Sequence, residues 1–264
     1  MDSNGKAGVL LPEQRRRKIL ELIQEEGSAK VAALRDLFSV TEPTIRQDLD
    51  KLEEDGHVVR RHGGAFLKTI PVQVSTMTLQ HSVNMDKKKK LGAKAAAYVS
   101  EGDSIILDAG STITEVANHI ENVSNLSVIT TALNIALILG SKFNVQVMLV
   151  GGEFKPPTLS TTGEQAAKFF DKTIVAGKLF LAATGLSDDG LITYPGLNDI
   201  PVKRAMIGAS REVFLVADST KMGKISFAPL GKFELLHHLI TDAGISDKYV
   251  SLFESHGVDV IIAD

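Results

Sequence analysis

The segment "TEPTIRQDLDKLEEDGHVVRRHGGA", residues 41–65, leaves few folds open to the chain around it. Thr41 is a residue type that caps helix N-termini, and Pro43 is tolerated in a first turn, where its missing N–H has no helical partner to lose. Ile45, Leu49 and Leu52 then recur on one face, and Gly56 supplies a stop. Directly afterwards "HVVRR" and "AFL" flank His62, Gly63 and Gly64, a pattern of two short strands around a tight turn. A helix that must end where a hairpin begins needs other helices to cover its apolar face. Pro12 to about Glu26 provides one, with Ile19, Leu20, Leu22 and Ile23 at helical spacing before Gly27. "SAKVAALRDLFSV" predicts a second, capped by Ser28 and turning Val31, Leu34 and Leu37 inward. The order helix, helix, helix, hairpin predicts a winged helix-turn-helix over residues 12–67, after a flexible N-terminus of residues 1–11.

In that architecture the third helix enters the major groove and the wing lies along the backbone. The side of the helix opposite Ile45, Leu49 and Leu52 carries Pro43, Gln47, Asp50 and Glu54, flanked by Thr44, Arg46 and Lys51. Its N-terminal half, with Thr41, Thr44, Arg46 and Gln47, is therefore the half suited to base edges and nearby phosphates, while the acids further along belong off the DNA. Arg60, Arg61, His62 and Gly63 on the wing suit phosphate or minor-groove contact. Residues 12–62 hold ten Lys and Arg against eleven Asp and Glu, so placement rather than overall charge carries this reading. A small helical protein-interaction module is the plainer alternative. Asp48, beside the core face, reads as a structural ion-pair partner, and the run Arg15 to Lys18 as either a solvated face or part of the interface.

From Lys68 to Asn84 no period is sustained, so residues 68–84 read as a linker. Beyond it apolar strands alternate with helices: a helix near 86–99, a strand at 104–107, a helix at 112–120, a strand at 126–130, a helix at 132–140 and a strand at 145–150. "LFLAAT", "VFLVAD", "HHLIT" and "VDVIIA" are further strands, the first two separated by the helix-like "NDIPVKRAMIGASREV". That alternation predicts a mainly parallel α/β sheet over residues 85–264.

With 264 residues, a net charge of −3 and 23% charged residues, the composition is that of an ordinary globular protein and names no partner. The chain has no cysteine, which removes disulfides, thiolate metal sites and thiol nucleophiles and is compatible with a reducing cytoplasm. No stretch has the roughly 20 apolar residues of a membrane span, and no apolar run at the N-terminus is long enough for a signal peptide.

The clearest chemical signal in the second domain is "ILDAGSTITEVA": a strand, a turn of small residues from Asp108 to Ser111, then a helix opening with Thr112. N–H groups at such a helix start, beside Ser and Thr hydroxyls and a glycine at 110, suit a phosphate. Gly110 and Ser111 could equally only turn and cap the helix. Gly151 and Gly152, and Thr184 and Gly185, follow strands at the ends where open α/β sheets bind ligands. Lys203 opens a helix, and Asp218 and Lys221 follow "VFLVA". Two or three cations converging on Thr112 would make a sugar-phosphate pocket; each alone is more often a surface charge. Lys87 to Lys90 reads as a solvated helix face, with an anionic neighbour as the alternative, and no spacing of ligating side chains predicts a metal site.

"RRRKILELIQEEGSAKVAALRDLFSVTEPTIRQDLDKLEEDGHVVRRHGGA" resembles the N-terminal helix-turn-helix of the DeoR family of bacterial transcriptional regulators, with T-x-x-T-I-R-x-D-L-x-x-L and R-x-H-G-G-A in order. The resemblance continues through "LDAGSTITEVA", "ITTALNIA", "LVGGEF", "VKRAMIGAS" and "VADSTKMGK". It implies a repressor with a sensor domain related in fold to sugar-phosphate isomerases. Gln47 stands where the family commonly has a basic residue, which bears on the operator read. Thr184-Gly185 stands where many members keep Asp-Gly, so the carboxylate of an isomerase base is missing. The expectation is a cytoplasmic homo-oligomer, without cofactor or catalytic residues, that binds double-stranded operator DNA and is released by a phosphorylated sugar; the alternative is a sugar-phosphate isomerase-like enzyme with an appended interaction module.

Overall fold

The computed structural model describes residues 10–26, 28–61, 63–68, 83–121, 123–171 and 174–264. The segment 1–9, Gly27, His62 and most of the expected linker (69–82) lie outside the described residues. The chain divides into two compact units, Met1–Thr76 and Met77–Asp264.

In the first unit, helices α1 (Pro12–Glu26), α2 (Val31–Phe38) and α3 (Glu42–Glu54) enclose Ile19, Ile23, Leu34, Ile45 and Leu49, all essentially without solvent contact. The Thr41 hydroxyl accepts the Thr44 N–H at 3.4 Å, as expected of the cap. At the other end Gly56 takes φ +78° and the His57 N–H reaches back to the Leu52 carbonyl, the left-handed termination that glycine makes easy. Strands β1 (Ser28–Lys30), β2 (Val58–Arg61) and β3 (Gly64–Leu67) form an antiparallel sheet in the order β1-β3-β2. Ser28 is thus a strand residue and not a helix cap. The reason lies in the wing: Ala29 pairs with Ala65, and a Cβ on Gly64 would come within 2.4 Å of the Ala29 carbonyl oxygen. With Lys30 giving α2 no side-chain cap, the Val31 N–H bonds instead to the Gly63 carbonyl at 2.9 Å. Arg15 also departs from a solvated face: it is buried, its Nε 2.5 Å from buried Asp48.

The second unit opens with α4 (Met85–Ala96), β4 (Ser104–Leu107), α5 (Ser111–His119), β5 (Leu126–Thr130), α6 (Leu133–Gly140) and β6 (Val145–Leu149). A hairpin of β7 (Glu153–Lys155) and β8 (Ser160–Thr162) follows, then α7 (Glu164–Phe170) and β9 (Ala176–Leu181). The remainder is β10 (Gly185–Leu186), β11 (Leu191–Tyr194), α8 (Ile200–Gly208), β12 (Ser210–Val216), β13 (Ala228–Lys232), β14 (His238–Asp242), α9 (Asp247–Ser255) and β15 (Asp259–Ala263). Seven strands make a parallel sheet in the order β15-β14-β12-β9-β4-β5-β6. Alternation along the strands sorts two cores. Ile105, Leu107, Phe180 and Phe214 pack with Leu91, Ile113 and Ile135 of α4, α5 and α6. Ile106, Leu179, Leu181 and Leu215 pack with Phe170, Met206 and Phe253 of α7, α8 and α9. The chain runs outward from β4 to β6 on one side and from β9 to β15 on the other, so β4 and β9, though adjacent, lead in opposite directions. A small antiparallel sheet, β10-β11-β13, stands apart from the main one.

Candidate functional site

On α3 the side chains of Arg46, Gln47, Asp50 and Lys51 are exposed, and Thr44, half-buried, shares a 2.8 Å hydrogen bond with Thr41. Thr41, Thr44, Arg46 and Gln47 occupy the first turns of the helix, where only Glu42, 3.6 Å from Arg46, offsets the positive charge. Lys51 sits differently. It bonds Glu54 at 3.2 Å with Asp55 at 3.5 Å, and the Glu54 contact raises its pKa above the ordinary lysine value. Arg60 also has a structural post, because its guanidinium pairs with Asp50 and its N–H donates to Glu53 at 2.7 Å, fastening the wing strand to α3. Arg61 is exposed and forms no ion pair among the described residues. Gly63 turns the wing at φ +84° with open space around it. His62 lies outside the described residues.

In the second unit the divergence of β4 and β9 leaves a crevice at their carboxyl ends, where open α/β sheets take ligands. Asp108, the first residue past β4, is buried and binds the Lys203 ammonium of α8 through both oxygens, at 2.8 and 2.6 Å. The Ala182 N–H, just past β9, donates to the same carboxylate at 3.2 Å. Lys203 also stands over the Tyr194 ring at 4.5 Å, and the Tyr194 hydroxyl donates to the Ala182 carbonyl. Burial, then the nearby Asp108 and Asp199 carboxylates, push that phenol well above its ordinary value. A second buried pair adjoins: Lys155 reaches Asp199 at 2.7 Å, and the Thr162 hydroxyl donates to the Asn198 carbonyl at 2.6 Å. Burial raises the Asp199 carboxyl, but the Lys155 and Lys203 charges outweigh it and hold the group below its usual range.

Beside these pairs begins α5. Gly110, at φ +125°, precedes it without a side-chain cap, leaving the first N–H groups and the Ser111 and Thr112 hydroxyls at the crevice. A carboxylate at position 110 could not substitute for an anion there, since that φ disfavours any residue with a Cβ. Helix α4 runs alongside: a Cβ on Gly92 would meet Glu115 of α5 at 2.5 Å, so Lys88, one turn before Gly92, stands level with the start of α5, one turn before Glu115. Lys88 is buried, and burial, followed by the charge of Lys221, lowers its pKa. The nearby Asp218 and Glu115 carboxylates act on it in the opposite direction.

The expected ligand residues separate accordingly. Asp108, Gly110, Ser111, Thr112 and Lys203 converge, with Thr184, half-buried, three residues beyond β9. Lys203 is neutralised by Asp108, and Lys221 lies near Lys88 of α4. Lys88 had been masked by the neighbouring lysines, and its four-residue spacing to Gly92 was the available signal. Asp218 is a cap: it accepts from the Thr220 N–H at 3.0 Å and from Asn84 at 3.4 Å. Gly185 is enclosed, its Cβ position 2.6 Å from the Lys224 carbonyl, and Gly151 and Gly152 lie past β6, two strands from β4. Lys155, Tyr194 and Asp199 carry no sequence signal of their own; Lys155 comes from the β7–β8 hairpin, Tyr194 from the small sheet and Asp199 from the residue before α8.

Asp242, at the end of β14, ties the start of α4 to the sheet. It binds Lys87 at 2.8 Å and accepts from the Ser219 and Gly244 N–H groups at 2.7 and 3.1 Å. Burial raises its pKa, but these bonds outweigh that and bring it from 3.8 to about 2. A depressed folded-state pKa contributes stability above the unfolded value and loses it as pH falls through the folded one. The urea midpoint of the second unit should therefore fall between pH 4 and 2, and Asp242→Asn should flatten that limb. An unaltered acid limb in the variant would refute the assignment.

Comparison with known proteins follows this division. Residues 15–70 match the family model of the DeoR-like helix-turn-helix domain, and residues 83–243 that of the DeoR C terminal sensor domain. An uncharacterized HTH-type transcriptional regulator, YulB of Bacillus subtilis, is 34% identical over 95% of this chain and 96% of its own. The glycerol-3-phosphate regulon repressor of Escherichia coli is 29% identical over 94% and 97%. Among solved structures, ribose 5 phosphate isomerase A from Neisseria gonorrhoeae aligns with 57% of this chain and 56% of its own, with a TM-score of 0.38 and 16% identity.

Proposed function

Because this chain belongs to the DeoR family of transcriptional regulators, we propose that it represses a sugar-metabolism operon and leaves its operator when a phosphorylated sugar occupies the β4–β9 crevice. The observation that carries the sensor half is the uncapped start of α5, with the Ser111 and Thr112 hydroxyls, where β4 and β9 diverge. A dianionic phosphate there would accept the α5 N–H groups and the Ser111 and Thr112 hydroxyls. Tyr194 and the Asp108–Lys203 pair form the adjoining wall against which the sugar hydroxyls would bind.

The coupling is a linkage. A sugar phosphate releases DNA only as far as it favours a state with poorer DNA affinity, and bound DNA must weaken the sugar phosphate by the same factor. Binding without turnover fits the way Asp108 and Asp218 are used: both oxygens of Asp108 are held by Lys203, and Asp218 serves as a cap. Relatives named as regulators support the same reading, with the chain acting in the cytoplasm. Isomerisation of a sugar phosphate by the purified protein, lost on changing Asp108, would overturn it.

The test is fluorescence anisotropy at fixed salt on DNA from upstream of its own operon, with and without a panel of sugar phosphates. Release by one compound is expected, and specific binding that no sugar phosphate relieves would reject the sensor reading. On the DNA side, Arg46→Ala should weaken operator binding about tenfold or more, the worth of one good base or phosphate contact. Gln47→Ala should relax base preference at one position while leaving the salt slope unchanged. Wild-type affinity and preference in both variants would remove α3 from the interface.

A further inference from the structure

The chain enters α4 through Asn84, the last residue of the expected linker, so whatever holds Asn84 holds the point where the second unit takes over from the first. Asn84 has φ +55° and gives α4 no side-chain cap. Its amide instead donates to Asp218 at 3.4 Å and to the Thr220 hydroxyl at 3.3 Å. Three residues on, the Lys87 ammonium donates to the Ser219 hydroxyl at 2.9 Å and to Asp242 at 2.8 Å, and Asp242 also accepts the Ser219 N–H at 2.7 Å. Asp218, Ser219 and Thr220 belong to one short loop past β12. Two side chains therefore fasten the start of α4 to that loop.

The far end of the same loop lies at the rim of the crevice. The Gly223 N–H donates to the Leu186 carbonyl at 2.8 Å, and Leu186 is in β10, which follows directly on Thr184. Neither end has slack. A Cβ on Gly185 would come within 2.6 Å of the Lys224 carbonyl, and one on Gly244 within 2.6 Å of the Ser219 hydroxyl. Close-packed contacts of this kind pass a displacement on instead of absorbing it. The start of α4 is the weaker partner, because Lys87 to Lys90 set four cations in its first two turns against the helix dipole, with only Asp86 beside them to offset the charge.

We propose that Asn84 and Lys87 couple the crevice to the DNA-binding unit: a sugar phosphate that shifts the rim at Thr184 to Leu186 shifts the loop after β12, and the start of α4 is held or released with it. The proposal rests on the sensor reading above and adds the residues that carry its signal. Neither side chain belongs to the helix-turn-helix or to the crevice, so both act as positioning residues.

The experiment compares full-length wild type with Asn84→Gly/Lys87→Met by fluorescence anisotropy on operator DNA at fixed salt, with each member of a panel of triose, pentose and hexose phosphates as probe in turn. Glycine keeps the left-handed φ without strain, and Asp242 keeps the Ser219 and Gly244 N–H groups, so the variant should fold. One probe should weaken operator binding by the wild type about tenfold or more and by the variant less than about twofold. Operator affinity without probe, and probe affinity by calorimetry without DNA, should each stay within about threefold of wild type, since only the coupling between the sites is removed. Lys87→Arg, which keeps the cation, should retain the wild-type response. In the wild type the Lys88 N–H, bonded to the Asn84 carbonyl at 3.0 Å, should exchange with deuterium at different rates in the operator-bound and probe-bound protein. A variant released as readily as wild type, a variant that has lost either affinity, or one exchange rate in both complexes overturns the proposal and leaves the sensor reading standing. A wild type that no probe releases overturns both.

Discussion

Asp48→Ala should unfold the first unit and abolish operator binding, although Asp48 is buried and faces away from any DNA. Its carboxylate lies 2.5 Å from Arg15 and 3.7 Å from Arg16, and the side chains of Asp48 and Arg15 are 3% and 7% exposed. Removing the anion strands a buried guanidinium, a change that costs about 3–5 kcal/mol. Among the described residues the unit has ten buried apolar residues in its core, and at about 0.05–0.15 kcal/mol per residue its whole stability is of that same size. Thermal melts should lose the transition of the first unit and keep that of the second. Arg15→Met/Asp48→Leu, which removes both charges and refills the space, should restore folding and much of the DNA affinity. A folded, DNA-binding Asp48→Ala protein would show that the pair is dispensable.

Lys203→Met should leave a protein that binds its operator and ignores its inducer. Asp108 would keep the Ala182 N–H but lose both ammonium contacts. A buried carboxylate without its counter-charge destabilises the unit by about 3–5 kcal/mol. The change also removes the cation over Tyr194 and one of the two charges that hold Asp199 ionised. Operator affinity in anisotropy should stay within a few-fold of wild type, while sugar phosphate no longer lowers it and calorimetry records no binding. Adding Asp108→Asn should recover stability without recovering the response, because stability needs only charge balance and recognition needs the wall itself. An inducible Lys203→Met protein would place the ligand elsewhere.

The first unit was legible where its signals are local. Thr41 caps α3, Gly56 ends it in the left-handed conformation, and Asp48 on the flank of an apolar face is an ion-pair residue. The strand Ser28–Lys30 was not, since three residues with helix-compatible spacing become a strand only through Ala65, thirty-six positions later. In the second unit the alternation of strands and helices gave the parallel sheet, and the small-residue turn after β4 marked the crevice. What stayed hidden depends on contacts between distant elements. Lys88 looks like its three exposed or half-exposed neighbours until Gly92 brings α4 against Glu115. Lys155 and Tyr194 reach the crevice from strands of three and four residues, too short for any periodicity to register, and Asp199 from the turn that starts α8.

The pair that closes the crevice joins residues ninety-five positions apart, Asp108 and Lys203. At roughly 5–20 residues per second of synthesis, Lys203 leaves the ribosome about 5–20 s after Asp108, and β9, the neighbour of β4, also arrives within that interval. The first unit, complete by residue 67, has by then had time to fold. On the proposed reading, each new molecule therefore passes through an age at which its DNA-binding unit is folded and its inducer site is still incomplete.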